Sequence, residues 1–232
     1  MDWALLLLVT FLASTVQSAT GFGFGLIAVP AFLIMLDSVA AIQLVMIIIL
    51  AMSLVHFPKL RGIAPGQLLK WLSVGCTLGF PLGILVYNQL DLDAIKLVVA
   101  VLIILISLQN SWHLLSPYLF SRLKGSAQNE KFPRRGGAMG VGVASGLMAS
   151  SMAMPGPAVM LYLSRTALGK NEIRATILTF FLFSYGGALL LQAALIGIES
   201  RTWLTSAVLI PSALIGVVAG HLLSKKINQQ LF

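Results

Sequence analysis

Five long apolar stretches set the rhythm of the chain: Ala40 to Phe57, Leu68 to Gln89, Ala94 to Leu115, Ile173 to Ile198 and Trp203 to Leu223. Each holds about 20 residues, enough to cross ~30 Å of hydrocarbon as an α-helix. Short polar or charged connections separate them. A membrane barrel would instead alternate apolar and polar residues within segments of ~10 residues, and the chain has no such pattern. The elements predicted are therefore helices, and the fold class is an all-α, polytopic transmembrane bundle.

Two further apolar regions break the rhythm, and they resemble each other. Ser18 is followed twelve residues later by Pro30 in "SATGFGFGLIAVP", and Ser145 is followed twelve residues later by Pro157 in "SGLMASSMAMPGP". Downstream, "GFPLG" (Gly79 to Gly83) and "GVVAG" (Gly216 to Gly220) repeat a Gly-x-x-x-Gly spacing. The chain thus divides into a first repeat over 1–117, a basic linker over 118–136 and a second repeat over 137–232. Ala94 to Leu115 has no counterpart after "SKKINQQLF", so the second repeat is expected to lack its final span, either because the chain is shortened or because the span was never there.

Length decides how the small-residue regions sit. Gly137 to Ala149 makes about 13 residues, or ~20 Å of helix, and Pro155 to Ser164 about 10, or ~15 Å. Neither crosses the bilayer alone, but together they fit a re-entrant hairpin whose tip is tolerated where protein or a water-filled cavity surrounds it. Charge agrees. If Gly137 to Ser164 leaves and returns on one side, that side collects thirteen of the fifteen Lys and Arg, among them Lys59, Arg61, Lys70, Arg122, Lys124, Lys131 and Arg174. The other keeps Lys96 and Arg201 beside Asp37, Asp91, Asp93 and Glu199. A single crossing would divide the cations nine to six, so the positive-inside rule favours the hairpin, with the basic loops cytoplasmic. Each full repeat is then a broken hairpin plus three crossing helices. An odd number of crossings inverts the second repeat relative to the first.

Composition narrows the function. The chain of 232 residues is 58% hydrophobic and 9% charged, well outside the range of a soluble domain. Its net charge of +8 lies in short loops without a nucleic-acid-reading module, so membrane topology accounts for it. Cys76 is the sole cysteine and is expected to pack between helices, and His56, His113 and His221 have no metal-ligand spacing. Neither a metal nor another cofactor is expected. Met1-Asp2-Trp3 lacks a positive n-region, so the first segment is expected to remain in the mature protein. No nucleophile and base stand paired, which points away from an enzyme. The seven acidic residues fall at span ends or in loops, leaving no buried carboxylate to relay protons.

A helix that begins in mid-membrane presents unpaired N–H groups and the positive end of its dipole, which together attract an anion. Gly21, Gly23 and Gly25 let the backbone turn before the helix carrying Pro30. Pro155 and Pro157 suit the first turn of the second returning helix, and Ser150 and Ser151 stand ready to cap it or to contact ligand. Inverted repeats aim the two helix starts at each other. Gln17, Ser18 and Thr20 in one tip and Ser145, Ser150 and Ser151 in the other are candidate donors, although hydroxyls at a break also satisfy freed backbone groups. Gln192, Tyr185 and His221 either line the path or bond between helices. Gly79, Gly83, Gly216 and Gly220 are expected to serve close helix packing.

The paired elements, with Ser18, Gly21, Gly23, Gly25 and Pro30 in the first copy, resemble those of the sulfite exporter TauE/SafE family of bacterial membrane proteins. The second copy carries Met148, Ser150 and Met152 at the glycine positions. The resemblance covers nearly the whole chain and implies export of sulfite or of a small organosulfonate such as sulfoacetate or sulfolactate across the bacterial inner membrane. A membrane scaffold without substrate, and a carrier of a neutral or cationic solute, are the competing readings. The oligomeric state stays open.

Overall fold

The computed structural model describes residues 2–60, 62–119 and 135–226. Among them run nine helices and no strand: α1 Trp3–Thr20, α2 Phe24–Leu36, α3 Ala40–Leu60, α4 Gly66–Gln89, α5 Leu92–Leu119, α6 Arg135–Met152, α7 Gly156–Leu163, α8 Lys170–Leu195 and α9 Ser200–Lys226. The five apolar stretches became α3, α4, α5, α8 and α9. Helices α1, α3, α4, α8 and α9 are long and apolar enough to cross a membrane. The expected linker falls largely on 120–134, outside the described residues, as do Arg61, Arg122, Lys124, Lys131 and Arg134.

Hydrogen bonds between helix ends fix their directions. Tyr87, late in α4, donates to Val39 O just before α3, and Gln43, early in α3, donates to Gly197 O just after α8. One end of the bundle therefore gathers the ends of α4 and α8 with the starts of α3 and α9. Asp37, Asp91, Asp93, Lys96, Glu199 and Arg201 lie there, and Lys96 pairs with Asp37 at 2.6 Å. Lys70, Arg135, Arg165 and Lys170 lie at the opposite end, where Arg135 sits over the Trp71 ring.

Two seams of small residues join distant parts of the chain. On α4, a Cβ at Gly75, Gly79 or Gly83 would fall on the carbonyls of Met139, Val143 and Leu147 of α6; on α6, one at Gly142 or Gly146 would fall on Leu72 O or Cys76 O. Along α9, Gly216 and Gly220 meet Phe11 O and Thr15 O of α1 in the same way. In hydrocarbon no hydrophobic effect draws helices together, so close backbone approach over small residues supplies dispersion contacts in its place. Both seams are parallel, because residue numbers rise together across each. Since α4 ends where α9 starts, α1 and α6 run in opposite directions.

The short helices double back. Ser18, near the end of α1, bonds Val217 well along α9, whereas Met35 and Leu36, at the end of α2, share a cavity with Thr202 near the start of α9. Tyr162 of α7 lies against Gly137 at the start of α6. Helix pairs α1–α2 and α6–α7 are thus hairpins. Their first arms, α1 and α6, each have 18 residues, and α6 is longer than the expected 137–149 because it continues through Ser150 and Ser151.

Gly146→Ala is expected to lose about 1–3 kcal/mol through overpacking against Cys76 and to melt earlier in detergent. Gly140→Ala, where a Cβ meets nothing within 4 Å, is expected to keep or raise the melting temperature. Equal melting of the two variants would contradict the seam.

Candidate functional site

The first break spans Gly21 to Gly23. Gly21, at φ +95°, closes α1 with its N–H on Gln17 O at 2.7 Å, the left-handed cap that glycine adopts without steric cost. Gly23 follows at φ +115°, and α2 starts at Phe24. The first bond closing α2 runs from Ile27 N–H to Gly23 O at 3.2 Å, so the amides of Phe24, Gly25 and Leu26 have no partner inside the helix. Thr20 Oγ1 lies 2.9 Å from Val16 O and 2.6 Å from Phe22 O, and its proton serves one carbonyl on either side of the turn.

The second break spans Ala153 to Pro155. Ala153 N–H bonds Ala149 O at 3.1 Å, the same cap, with alanine held at φ +54°. Tyr185 of α8, edge-on to Phe181, donates its hydroxyl to Ala153 O at 2.9 Å. Gln192, also on α8, donates its amide to Ser150 O at 2.7 Å. Both side chains are interhelical partners of this tip. Pro155 precedes α7, and Pro157 is its second residue.

The serines act differently from the expectation that they cap α7. Ser150 Oγ lies 2.9 Å from both Gly146 O and Phe80 O, and Ser151 Oγ bonds Leu147 O at 2.7 Å. The hydroxyls turn back onto carbonyls because both residues still belong to the last turn of α6. Ser145 Oγ, a turn earlier, is buried without a partner. Ser18 Oγ donates to Val217 O at 2.8 Å, with His56 Nε2 at 3.5 Å. Val217 follows Gly216 as Phe80 follows Gly79, so the structure matches Ser18 with Ser150, and Gly21 with Ala153. The pairing of Ser18 with Ser145 and of Pro30 with Pro157 is displaced. Pro30 is the seventh residue of α2, away from the break.

The two breaks touch. A Cβ on Gly25 would stand 2.8 Å from Ala153 O and 3.6 Å from the Tyr185 hydroxyl. Between them lies a cavity of about 10 Å³, lined by Gln17, Gly23, Gly25, Met154, Gly156 and Pro157 together with Phe22, Leu26, Phe181 and Tyr185. That volume holds roughly one water molecule. Gln17 is 1% exposed, and its Nε2 has no partner. A larger cavity of about 250 Å³ opens at the Asp37 end, lined among others by Ser38, Arg201, Thr202 and Thr205. On the far side of the first break, Arg174 of α8 donates from Nη2 to Ser18 O at 2.5 Å. Counted among loop charges, Arg174 was missed as a neighbour of the break. The available signal was a cation inside the stretch Ile173 to Ile198.

A family model described as sulfite exporter TauE/SafE matches residues 6–232. The chain belongs to this family. No curated protein and no solved structure shows significant similarity to it. With five apolar helices, the TauE/SafE chain is a multi-pass membrane protein of a transporter family.

Two substitutions probe the second break. Ala153→Gly removes left-handed strain of about 1 kcal/mol and is expected to raise the melting temperature. Tyr185→Phe leaves Ala153 O without its donor and is expected to lower it by a similar energy. Shifts of the opposite signs in a thermal melt would refute this assignment of the tip.

Proposed function

We propose that the chain exports a small anion, sulfite or an organosulfonate such as sulfoacetate, across a bacterial inner membrane through a midplane site between the N-termini of α2 and α7. The reading rests on one observation above all: Gly25, in the first turn of α2, abuts Ala153 O at the tip before α7. The start of α2, with its free amides, and the start of α7, where Gly156 carries an N–H between two prolines, converge there on a cavity lined also by Gln17, whose Nε2 is unpaired. Such a setting favours negative charge. Gln17, Gly23, Gly25, Gly156 and Pro157 form its wall. Ser18, Thr20, Gly21, Ser150, Ser151 and Pro155 hold the two turns in shape, and Ser145 keeps an unpaired hydroxyl one turn before the second.

We read 1–117 and 137–232 as inverted repeats. The opposed directions of α1 and α6 and the reciprocal seams, α1 on α9 and α6 on α4, support it. The basic end is assigned to the cytoplasm by the positive-inside rule, and the 250 Å³ cavity at the other end is the exit vestibule. With a cavity of about 10 Å³ between the tips, the site is shut, and the returning arms α2 and α7 must part to admit an anion. A potential negative inside favours anion exit by about 2.3 kcal/mol per charge per 100 mV, so outward movement needs no coupled proton. The chain acts as a carrier, with no chemical transformation.

Reconstituted liposomes loaded with labelled sulfite or sulfoacetate are expected to release it faster when the exterior is made positive. Gly23→Val, a β-branched residue at φ +115°, is expected to reduce release to the protein-free background while the protein still inserts. Tight liposomes with the native chain, or full release by the variant, would defeat the proposal. The first result would favour a scaffold.

A further inference from the structure

We propose that Arg174 binds the exported anion directly, forming an oxyanion station on the basic side of the first break that the substrate occupies before it reaches the cavity between the tips. The inference rests on the export reading above and extends it to a residue outside the cavity wall.

Arg174 is the fifth residue of α8, and its side chain folds across the end of α1. Its stem lies against the turn, with Cγ 3.1 Å and Cβ 3.7 Å from the place a Cβ on Gly21 would take. Nη2 donates to Ser18 O, while Nε is buried with no partner. No carboxylate reaches the guanidinium among the described residues: Asp37 and Asp93 face Lys96, and Glu172 accepts from Gly169 N–H. A half-buried cation in a membrane helix is costly, and such residues normally pair with an opposite charge or mark an ion pathway. Here no such pairing charge stands among the described residues.

Capping the carbonyl end of α1 accounts for part of the arrangement, because a cation there complements the helix dipole. It does not account for all of it. One neutral amide suffices to bond Ser18 O, as Gln192 does for Ser150 O at the matched position of the other hairpin. A guanidinium brings more: a fixed positive charge and a planar fork of donors that fits two oxygens of a sulfite or sulfonate. The two tips therefore differ in charge where they agree in position. Gly21 N–H closes on Gln17 O, and Gln17 lines the cavity, so one helix cap separates the guanidinium from the cavity.

The test uses the full chain. In nanodiscs, phenylglyoxal modification followed by peptide mass spectrometry is expected to show sulfoacetate protecting Arg174, with Arg165 and Arg201 modified at unchanged rates. In liposomes, Arg174→Gln, which keeps a donor for Ser18 O, is expected to raise KM for sulfite about tenfold or more, with Arg174→Lys between it and the native chain. Equal modification of Arg174 with and without sulfoacetate, or an unchanged KM in Arg174→Gln, would overturn the station. Protection in a chain that releases no anion would sink the export reading and keep the station. Release by the native chain without protection would do the reverse.

Discussion

Every peptide group placed in hydrocarbon must find a partner in the protein, and this demand governs the two interrupted helices on which the rest of the structure depends. A continuous helix meets the demand internally. A break frees carbonyls at the end of one arm and amides at the start of the next, and each must be answered from elsewhere. Here the carbonyls draw Arg174, Gln192 and Tyr185 from α8. The amides of α2 face the other tip and a cavity too small for more than a water molecule. The glycine seams belong to the same solution, because only close contact with α9 and α4 holds the first arms deep enough for their ends to meet.

The tips are alike in backbone and unlike in side chains. Both close on a left-handed residue, Gly21 or Ala153. Ser18 and Ser150 occupy matching places, each on a carbonyl one residue past a seam glycine. Around that common frame stand a guanidinium and an imidazole on one side, an amide and a phenol on the other. One backbone frame thus carries different side-chain chemistry at its two tips.

Much of the architecture is legible in the sequence, because hydrocarbon thickness and apolar length are tied together by helix rise. The glycine run around Gly23 is legible for a local reason: alternate glycines fit no helix face, and Gly21 and Gly23 do adopt conformations that side chains resist. The second break is harder to read. Pro157 marks the start of α7, but Pro30 sits inside α2, so aligning the copies on proline shifts the serine match by five positions. What fixes the match is contact with α4 and α9, information carried by residues far away in the chain. Ser150 and Ser151 look like caps by type and turn out to bond their own helix. Arg174 reads as a loop charge until the fold brings α1 beside it.

The seam between α1 and α9 has a consequence for biosynthesis. Ser18 and Val217 are 199 residues apart, and Leu7 and Ser212 are 205 apart. At ~5–20 residues per second of translation, the glycine-rich turn waits roughly 10–40 s for its neighbour to leave the ribosome. During that interval the turn can meet Arg174 and the Ala153 tip but lacks the carbonyl of α9 on which Ser18 closes.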